Sequence, residues 1–400
     1  MPRNEYSPAA SILPPAVIGI LGGGQLGRMM ALDGRRMGYR FQVLDPTPDC
    51  PAAQVSDGQV VAKYDDVEAA KLLSHRCDVI TYEFENVDAD VAAALEHSAH
   101  VPQGSRLLAT TQHRVREKST LAKAGLPVTP FVPIANLEDI QSAFAQLGER
   151  LVVKTCRGGY DGKGQWMVRE PSDADRFLPQ WQSIIEAHTR SGADDEPLIA
   201  EQYIPFVGEC SVIVARSPRG ETAAFPVAEN VHMNHILHMS IVPARFPEEV
   251  LVKARSIACD VARKLDVVGL IAVEFFVAEG GQLYINELAP RPHNSGHYTM
   301  DACSTSQFEQ HVRAICNLPL GDVSLLTPVV MVNVLGQDVD PLLRAMPSLP
   351  GQVKVHLYGK AEVKRDRKMG HINILASDVE QALQVKRDLG IWQVDTQGEG

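Results

Sequence analysis

Between positions 16 and 82, short apolar runs alternate with stretches of helical spacing. Ala16 to Leu21 is an apolar run that ends in glycines, the pattern of a buried strand. Leu26, Met29, Met30 and Met37 then fall on roughly one helical face, which Gly38 stops. The same reading predicts strands at Phe41–Leu44, Gln59–Ala62 and Asp78–Tyr82, with a helix over Asp66–Leu73. Strands alternating with helices argue for a parallel, doubly wound sheet that closes near Gly104.

Downstream the pattern changes. A short helix over 114–124 is capped by Gly125, and Pro127 and Pro130 make a stiff crossing into a new segment. Leu137, Ile140, Phe144 and Leu147 mark a helix ending at Gly148. Strands Leu151–Lys154 and Gln165–Val168 flank a glycine-rich loop, a strand–loop–strand flap. An acidic, Gly/Pro-punctuated loop covers Ser191–Pro197. Strands are then predicted at 198–204, 210–216, 222–228, 236–242, 270–277 and 282–287, with a helix at about 248–265. The last hundred residues read as mixed α/β.

At 400 residues the chain is long enough for two or three cores. The expected division is a doubly wound domain over 16–110, a flap domain over 111–205 and an α+β domain over 206–400. With 38 basic and 49 acidic residues the net charge is −11, which disfavours sequence-blind nucleic-acid binding but allows a local anion pocket. The seven cysteines are far apart and form no Cys-x-x-Cys pair, which argues against a disulfide framework and for a reducing cytoplasm. No apolar stretch approaches the ~20 residues of a membrane span. Residues 1–15 lack an apolar signal core and are expected to form a loose tail.

Several constellations carry chemistry. Gly22-Gly23-Gly24-Gln25-Leu26-Gly27 satisfies G-x-G-x-x-G between a strand and a helix, and Asp45 ends the next strand. It reads as a dinucleotide site, as a cradle for the phosphate of another ligand, or as tight strand–helix packing. Lys154 ends a strand, and glycines 158, 159, 162 and 164 follow with Lys163 between them. Such a backbone can close over phosphates, although the order is not that of a Walker loop. Glu201-Gln202-Tyr203-Ile204, with Glu209, suits an adenine edge and ribose hydroxyls, or is a set of ordinary surface carboxylates. Glu274 and Glu287 lie on consecutive strands that a hairpin can bring side by side, with Asn286 adjacent: a hard-oxygen magnesium site, or a structural ion pair. Arg291-Pro292-His293-Asn294-Ser295 reads as an anion cradle or a polar turn. Lys360 to Lys368 is a basic cluster, either a phosphate pocket or a solvated face.

Taken together these stretches resemble an ATP-grasp enzyme of the 5-(carboxyamino)imidazole ribonucleotide synthase family. The resemblance runs from about Val17 to about Leu389. It is carried by Gly22–Gly27, Gly158–Trp166 (GGYDGKGQW) and Asn286–His297 (NELAPRPHNSGH), and supported by Tyr82–Asn86 (YEFEN) and Lys368–Asn373 (KMGHIN). It implies three ATP-grasp domains and a homodimer. It implies ATP contacts from Arg114, Lys154, Gly159, Tyr160, Asp161, Gly162, Lys163, Gly164, Gln165, Glu201, Gln202, Tyr203, Ile204, Glu209, His232, Asn286 and Glu287. Magnesium would sit on Glu274 and Glu287. Aminoimidazole ribonucleotide would meet Gln25, Glu83, Tyr160 and Asp161, with Arg291, His293, Asn294 and Ser295 near the reacting groups and Lys360, Arg367 and Lys368 on its phosphate. Bicarbonate would be the second substrate, held by Arg291, with Lys154 also catalytic and His293 or Asp161 taking the amine proton. Three residues depart from the pattern: Cys156 where arginine is common, and His235 and Asp366 where glycine is usual. The rival readings are a formate-using ATP-grasp ligase, a biotin carboxylase, a nicotinamide oxidoreductase and a non-catalytic nucleotide-binding relative.

Overall fold

The computed structural model describes residues 10–159 and 162–392. β1 (Val17–Leu21), α1 (Gln25–Arg36), β2 (Arg40–Leu44), β3 (Gly58–Val60), α2 (Val67–Ser74) and β4 (Val79–Tyr82) follow in the alternating order that the pattern predicts. Their strands form one parallel sheet in the order β3-β2-β1-β4. Both faces are covered: Ile18, Ile20, Phe41 and Val43 pack towards Met29 and Met30 of α1, and Leu21, Leu44, Ile80 and Tyr82 pack on the other side with Leu73 of α2. Asp66 starts α2 by accepting a hydrogen bond from the Ala69 N–H at 2.9 Å.

α3 (Ala89–Glu96), α4 (Ser105–Thr111) and α5 (Arg114–Lys123) lead to the second sheet. It comprises β5 (Phe131–Ile134), β6 (Leu151–Thr155), β7 (Gln165–Val168) and β8 (Leu198–Gln202), with α6 (Glu138–Leu147) and α7 (Ala174–Ser191) between them. The strand order is β5-β8-β6-β7, all antiparallel. Trp181 and Ile185 of α7 fill the core of this layer, although sequence patterning predicts no helix there. Pro179 is tolerated inside α7 because little more than one turn of the helix precedes it.

The third sheet is built from β9 (Phe206–Arg216), β10 (Thr222–Ala224), β11 (Ala228–Met233), β12 (Ile236–Val242), β13 (Gly269–Ala278), β14 (Leu283–Ala289), β15 (Val329–Leu335), β16 (Val353–Leu357) and β17 (Lys368–Leu375). Its order is β14-β13-β9-β11-β12-β15-β17-β16, with β10 on β9. Helices α8 (Glu248–Lys264), α9 (Thr299–Ala302), α10 (Gln307–Ile315), α11 (Val339–Ala345) and α12 (Val379–Leu389) cover it. Two expectations are corrected. The strand predicted over 222–228 is two strands, because the chain leaves β9 after Ala224 and returns as β11 to pair with both β9 and β12. Residues 10–15 are no loose tail: Ile12 is buried, its N–H donates to Cys316 O at 2.9 Å, and Tyr39 Oη donates to its carbonyl at 2.6 Å.

Candidate active site

A cavity of about 610 Å³ opens between the second and third sheets, beside the loop that follows β4. At its floor β13 and β14 set Glu274 directly opposite Glu287, with a bulge after Glu274. The hairpin thus brings together the two carboxylates that sequence spacing pairs. Asn286, Arg114, Lys154, Glu209, His232, Arg291, His293, Asn294 and Lys368 also line the cavity. Gly159, Gly162, Lys163, Gly164 and Gln165 form one wall, and Glu201, Gln202, Tyr203 and Ile204 the adjoining one. Phe206 and Phe276 stack at 4.7 Å on the rim. Tyr160 and Asp161 lie outside the described residues.

Charge in this site is arranged in pairs. Lys154 is buried, and its Nζ donates to Glu201 Oε2 at 2.9 Å and approaches Asn286 Oδ1 at 3.4 Å. Burial lowers its affinity for a proton, opposed by Glu201. The Glu201 carboxylate, 1% exposed, also lies 3.5 Å from Lys118. Burial would raise its pKa, but Lys118, Lys154 and Arg114 bring it down to about 2. Two lysines thus lie against this carboxylate, while Glu201 to Ile204 remain on the cavity wall. Glu209 pairs with His232 and, against burial, raises the pKa of that imidazole. Arg114 faces Glu287 at 3.2 Å and donates to the Gly159 carbonyl at 3.3 Å.

The loop after β14 is braced from below. Asn230 Nδ2 donates to Ser211 Oγ at 2.9 Å, Ser211 Oγ donates to Ser295 Oγ at 2.7 Å, and Ser295 Oγ lies 2.9 Å from His293 Nδ1. The Ser295 N–H also donates to Nδ1, at 3.3 Å, so the ring proton belongs on Nε2, 2.9 Å from Glu274. Ser295 is fully buried, with its Oγ against His293 Nδ1. His293 donates to Glu274, so in this arrangement it is no free base for an amine proton. Burial would raise the Glu274 pKa, yet His293, His232 and Lys368 hold it at about 2. Asn294 and Asn333 exchange side-chain amide bonds at 2.9 and 2.7 Å.

Sequence reading missed Glu85, which grips Arg291 through two oxygens, one at 2.8 Å from Nη2. Burial opposes ionisation, but Arg291 brings Glu85 to about 2. Glu85 stands within the YEFEN stretch, so a second acidic residue after β4 was the available signal.

The glycine-rich turn before α1 takes an unexpected role. The N–H groups of Gly24 and Gly27 both donate to Glu83, the latter at 2.6 Å, and that of Gly23 donates to Asp45 at 2.8 Å. Side chains of the protein fill the place where a phosphate or pyrophosphate would bind, which removes the dinucleotide reading. Burial raises the Glu83 pKa against those hydrogen bonds, and its field reaches Arg291 and Lys360. Gln25 is half-buried at the start of α1, beside this carboxylate but not on the cavity wall. Lys360 donates to the Lys368 carbonyl at 2.6 Å, and burial with Arg367 nearby lowers it to about 8. Arg367 is exposed and donates to Glu362 O at 3.2 Å.

The comparisons with known proteins agree with this architecture. A ribonucleotide synthetase preATP-grasp domain matches residues 16–112, an ATP-grasp domain 119–308, and a phosphoribosylaminoimidazole carboxylase C-terminal domain 329–385. An N5-carboxyaminoimidazole ribonucleotide synthase of Bacillus subtilis is 47% identical over 373 residues, 93% of this chain and 95% of the relative. The chain belongs to the N5-carboxyaminoimidazole ribonucleotide synthase family. It is an ATP-grasp ligase. A crystal structure of an ADP complex of an N5-carboxyaminoimidazole ribonucleotide synthetase superposes with a TM-score of 0.90 at 52% identity, covering 96% of this chain and 98% of that one. An Aspergillus clavatus N5-carboxyaminoimidazole synthase, solved with ADP and 5-aminoimidazole ribonucleotide, superposes at 0.82 with 29% identity, covering 96% and 98%.

The departures from this synthase family's pattern have local physical accounts. His235 and Asp366 have φ of 64° and 62°, the left-handed region where glycine is the unstrained choice. The Asp366 carboxylate accepts from Gln337 Nε2 at 3.0 Å, and the Asp366 N–H donates to Gln337 Oε1 at 2.9 Å. Cys156 is buried against Val115 and Ile199, and burial pushes its thiol up to about 12. Among the described residues no helix is long and apolar enough to cross a membrane.

Proposed function

We propose that the cavity carries out ATP-dependent carboxylation of 5-aminoimidazole ribonucleotide through a carboxyphosphate intermediate. The observation that carries it is the Glu274/Glu287 pair, with Lys154 and Arg114 on the flap side and Arg291 and His293 on the other. Bicarbonate is a poor electrophile because its carbon already carries anionic oxygens. A bicarbonate oxygen attacks the γ-phosphorus of ATP, the β–γ bridge breaks, and ADP leaves. The exocyclic amine then attacks the carboxyl carbon, phosphate departs, and the amine proton passes to an acceptor. Arg114 and Lys154 stabilise charge on the transferring phosphoryl group, and the 158–164 loop excludes water. Arg291, its orientation fixed by Glu85, holds the bicarbonate-derived anion.

Two cross-strand carboxylates suit magnesium, which takes its other oxygens from phosphates and water. When bound there, magnesium would offset phosphate charge. Glu83 and Gln25 would meet the ribonucleotide, and Lys360, Arg367 and Lys368 its phosphate. We also propose a homodimer working in the cytoplasm; seven free cysteines suit a reducing compartment. The three-part division at 110 and 205 keeps each sheet in one unit.

ADP release by the purified chain, with each co-substrate omitted in turn, tests this reading. Full rate is expected only with bicarbonate and aminoimidazole ribonucleotide together. An equal rate with formate in place of bicarbonate would contradict it.

A further inference from the structure

Helix α5 carries Arg114, Glu117 and Lys118 at i, i+3 and i+4, so all three share one face. Glu117 and Lys118 are 3% and 1% exposed, with Glu117 at the cavity wall. Burying an ammonium and a carboxyl group is costly unless each finds a hydrogen-bond partner. Their partners are successive positions of one strand. Lys118 Nζ donates to the Asn286 carbonyl at 3.0 Å, Arg114 faces the Glu287 carboxylate at 3.2 Å, and the Leu288 N–H donates to Glu117 Oε2 at 3.3 Å.

β14 is the edge strand of its sheet. On its outer side an isolated bridge from Val128 reaches Ile285, and beyond it the Asn286 carbonyl and Leu288 N–H bond to side chains instead of to a strand. Side chains of α5 take over from that bridge along β14. Lys118 has a second duty, because it lies 3.5 Å from Glu201, whose other oxygen holds Lys154 at 2.9 Å. One buried ammonium therefore touches both the strand that carries Glu287 and the carboxylate that sets Lys154.

We infer that Glu117 and Lys118 are positioning residues for the ATP step: they lock β14 so that the Glu287 carboxylate stays beside Glu274, and Lys118 aims Lys154 through Glu201. The inference rests on reading Glu274 and Glu287 as the magnesium–nucleotide site. Glu117 and Lys118 act through the main chain and through Glu201, and neither is assigned a contact with the reacting atoms.

The test is equilibrium binding of a non-hydrolysable imido analogue of ATP, with and without magnesium, to the full chain and its variants. Lys118→Met keeps the apolar stem and removes the ammonium. It should cut the magnesium-dependent gain in affinity by about tenfold, while the KM for aminoimidazole ribonucleotide stays within about twofold. Lys118→Arg should restore most of that gain. If Lys118→Met fails to fold, Glu117→Met carries the test with the same expectation, and Glu117→Gln, which keeps an acceptor for Leu288, should bind as wild type does. A wild type that shows the magnesium gain beside a folded Lys118→Met that keeps it in full would overturn the inference alone. Equal loss of nucleotide and ribonucleotide binding, with a lowered Tm, would reduce these residues to a general structural role and overturn it too. A wild type with no magnesium gain would sink the metal reading, and this inference with it.

Discussion

The molecule has two glycine-rich turns, and they end differently. At Gly22–Gly27 the N–H groups that could hold a phosphate are filled by Glu83 and Asp45. At Gly158–Gly164 the described glycines line an open cavity with Lys154 and Lys163. Glycine supplies backbone approach in both; which anion arrives depends on whether a carboxylate of the chain already reaches the turn. The first turn therefore holds a protein carboxylate, and the second is the one proposed to serve ATP.

The largest expected effect sharpens the second half of that contrast. Glu287→Gln should lower kcat by about 100- to 1000-fold while circular dichroism stays native, and a fully active variant would remove the carboxylate pair from the account. Next, an added Cβ at Gly162 would lie 2.6 Å from His235 Cβ, at a φ of +76°. Gly162→Ala should therefore lower kcat/KM for ATP by about 100-fold, with little change in the KM for ribonucleotide. Gly24→Ala probes the first turn. Its Cβ would meet Glu83 Oε1 at 2.5 Å and displace that side chain. The KM for ribonucleotide should rise about tenfold with ATP kinetics intact; the reverse pattern would mean that the first turn handles ATP.

The smallest effect concerns pH. Lys360, lowered to about 8, is charged below that value and neutral above it. Affinity for the ribonucleotide should fall as pH rises through 8, by about fivefold, and Lys360→Met should flatten the profile at the weaker level.

Much of this site was legible in the sequence because the fold is local there. A short hairpin forces Glu274 opposite Glu287, and strand–helix alternation dictates the parallel sheet. What stayed hidden depends on long-range contact. Glu117 and Lys118 look like the solvated face of an exposed helix, and only β14, almost 170 residues away, makes them buried. Asn333 lies in a run of valines and shows its purpose only against Asn294. Among the alternatives open for the first glycine turn, spacing could not choose, because it reveals a cradle and not its occupant.

The central claim is that ATP activates bicarbonate by phosphoryl transfer. It is tested most directly by single-turnover reaction with ¹⁸O-labelled bicarbonate and mass analysis of the phosphate released. The account predicts that one bicarbonate oxygen appears in inorganic phosphate for each ribonucleotide carboxylated. Unlabelled phosphate, formed alongside carboxylated product, would contradict it.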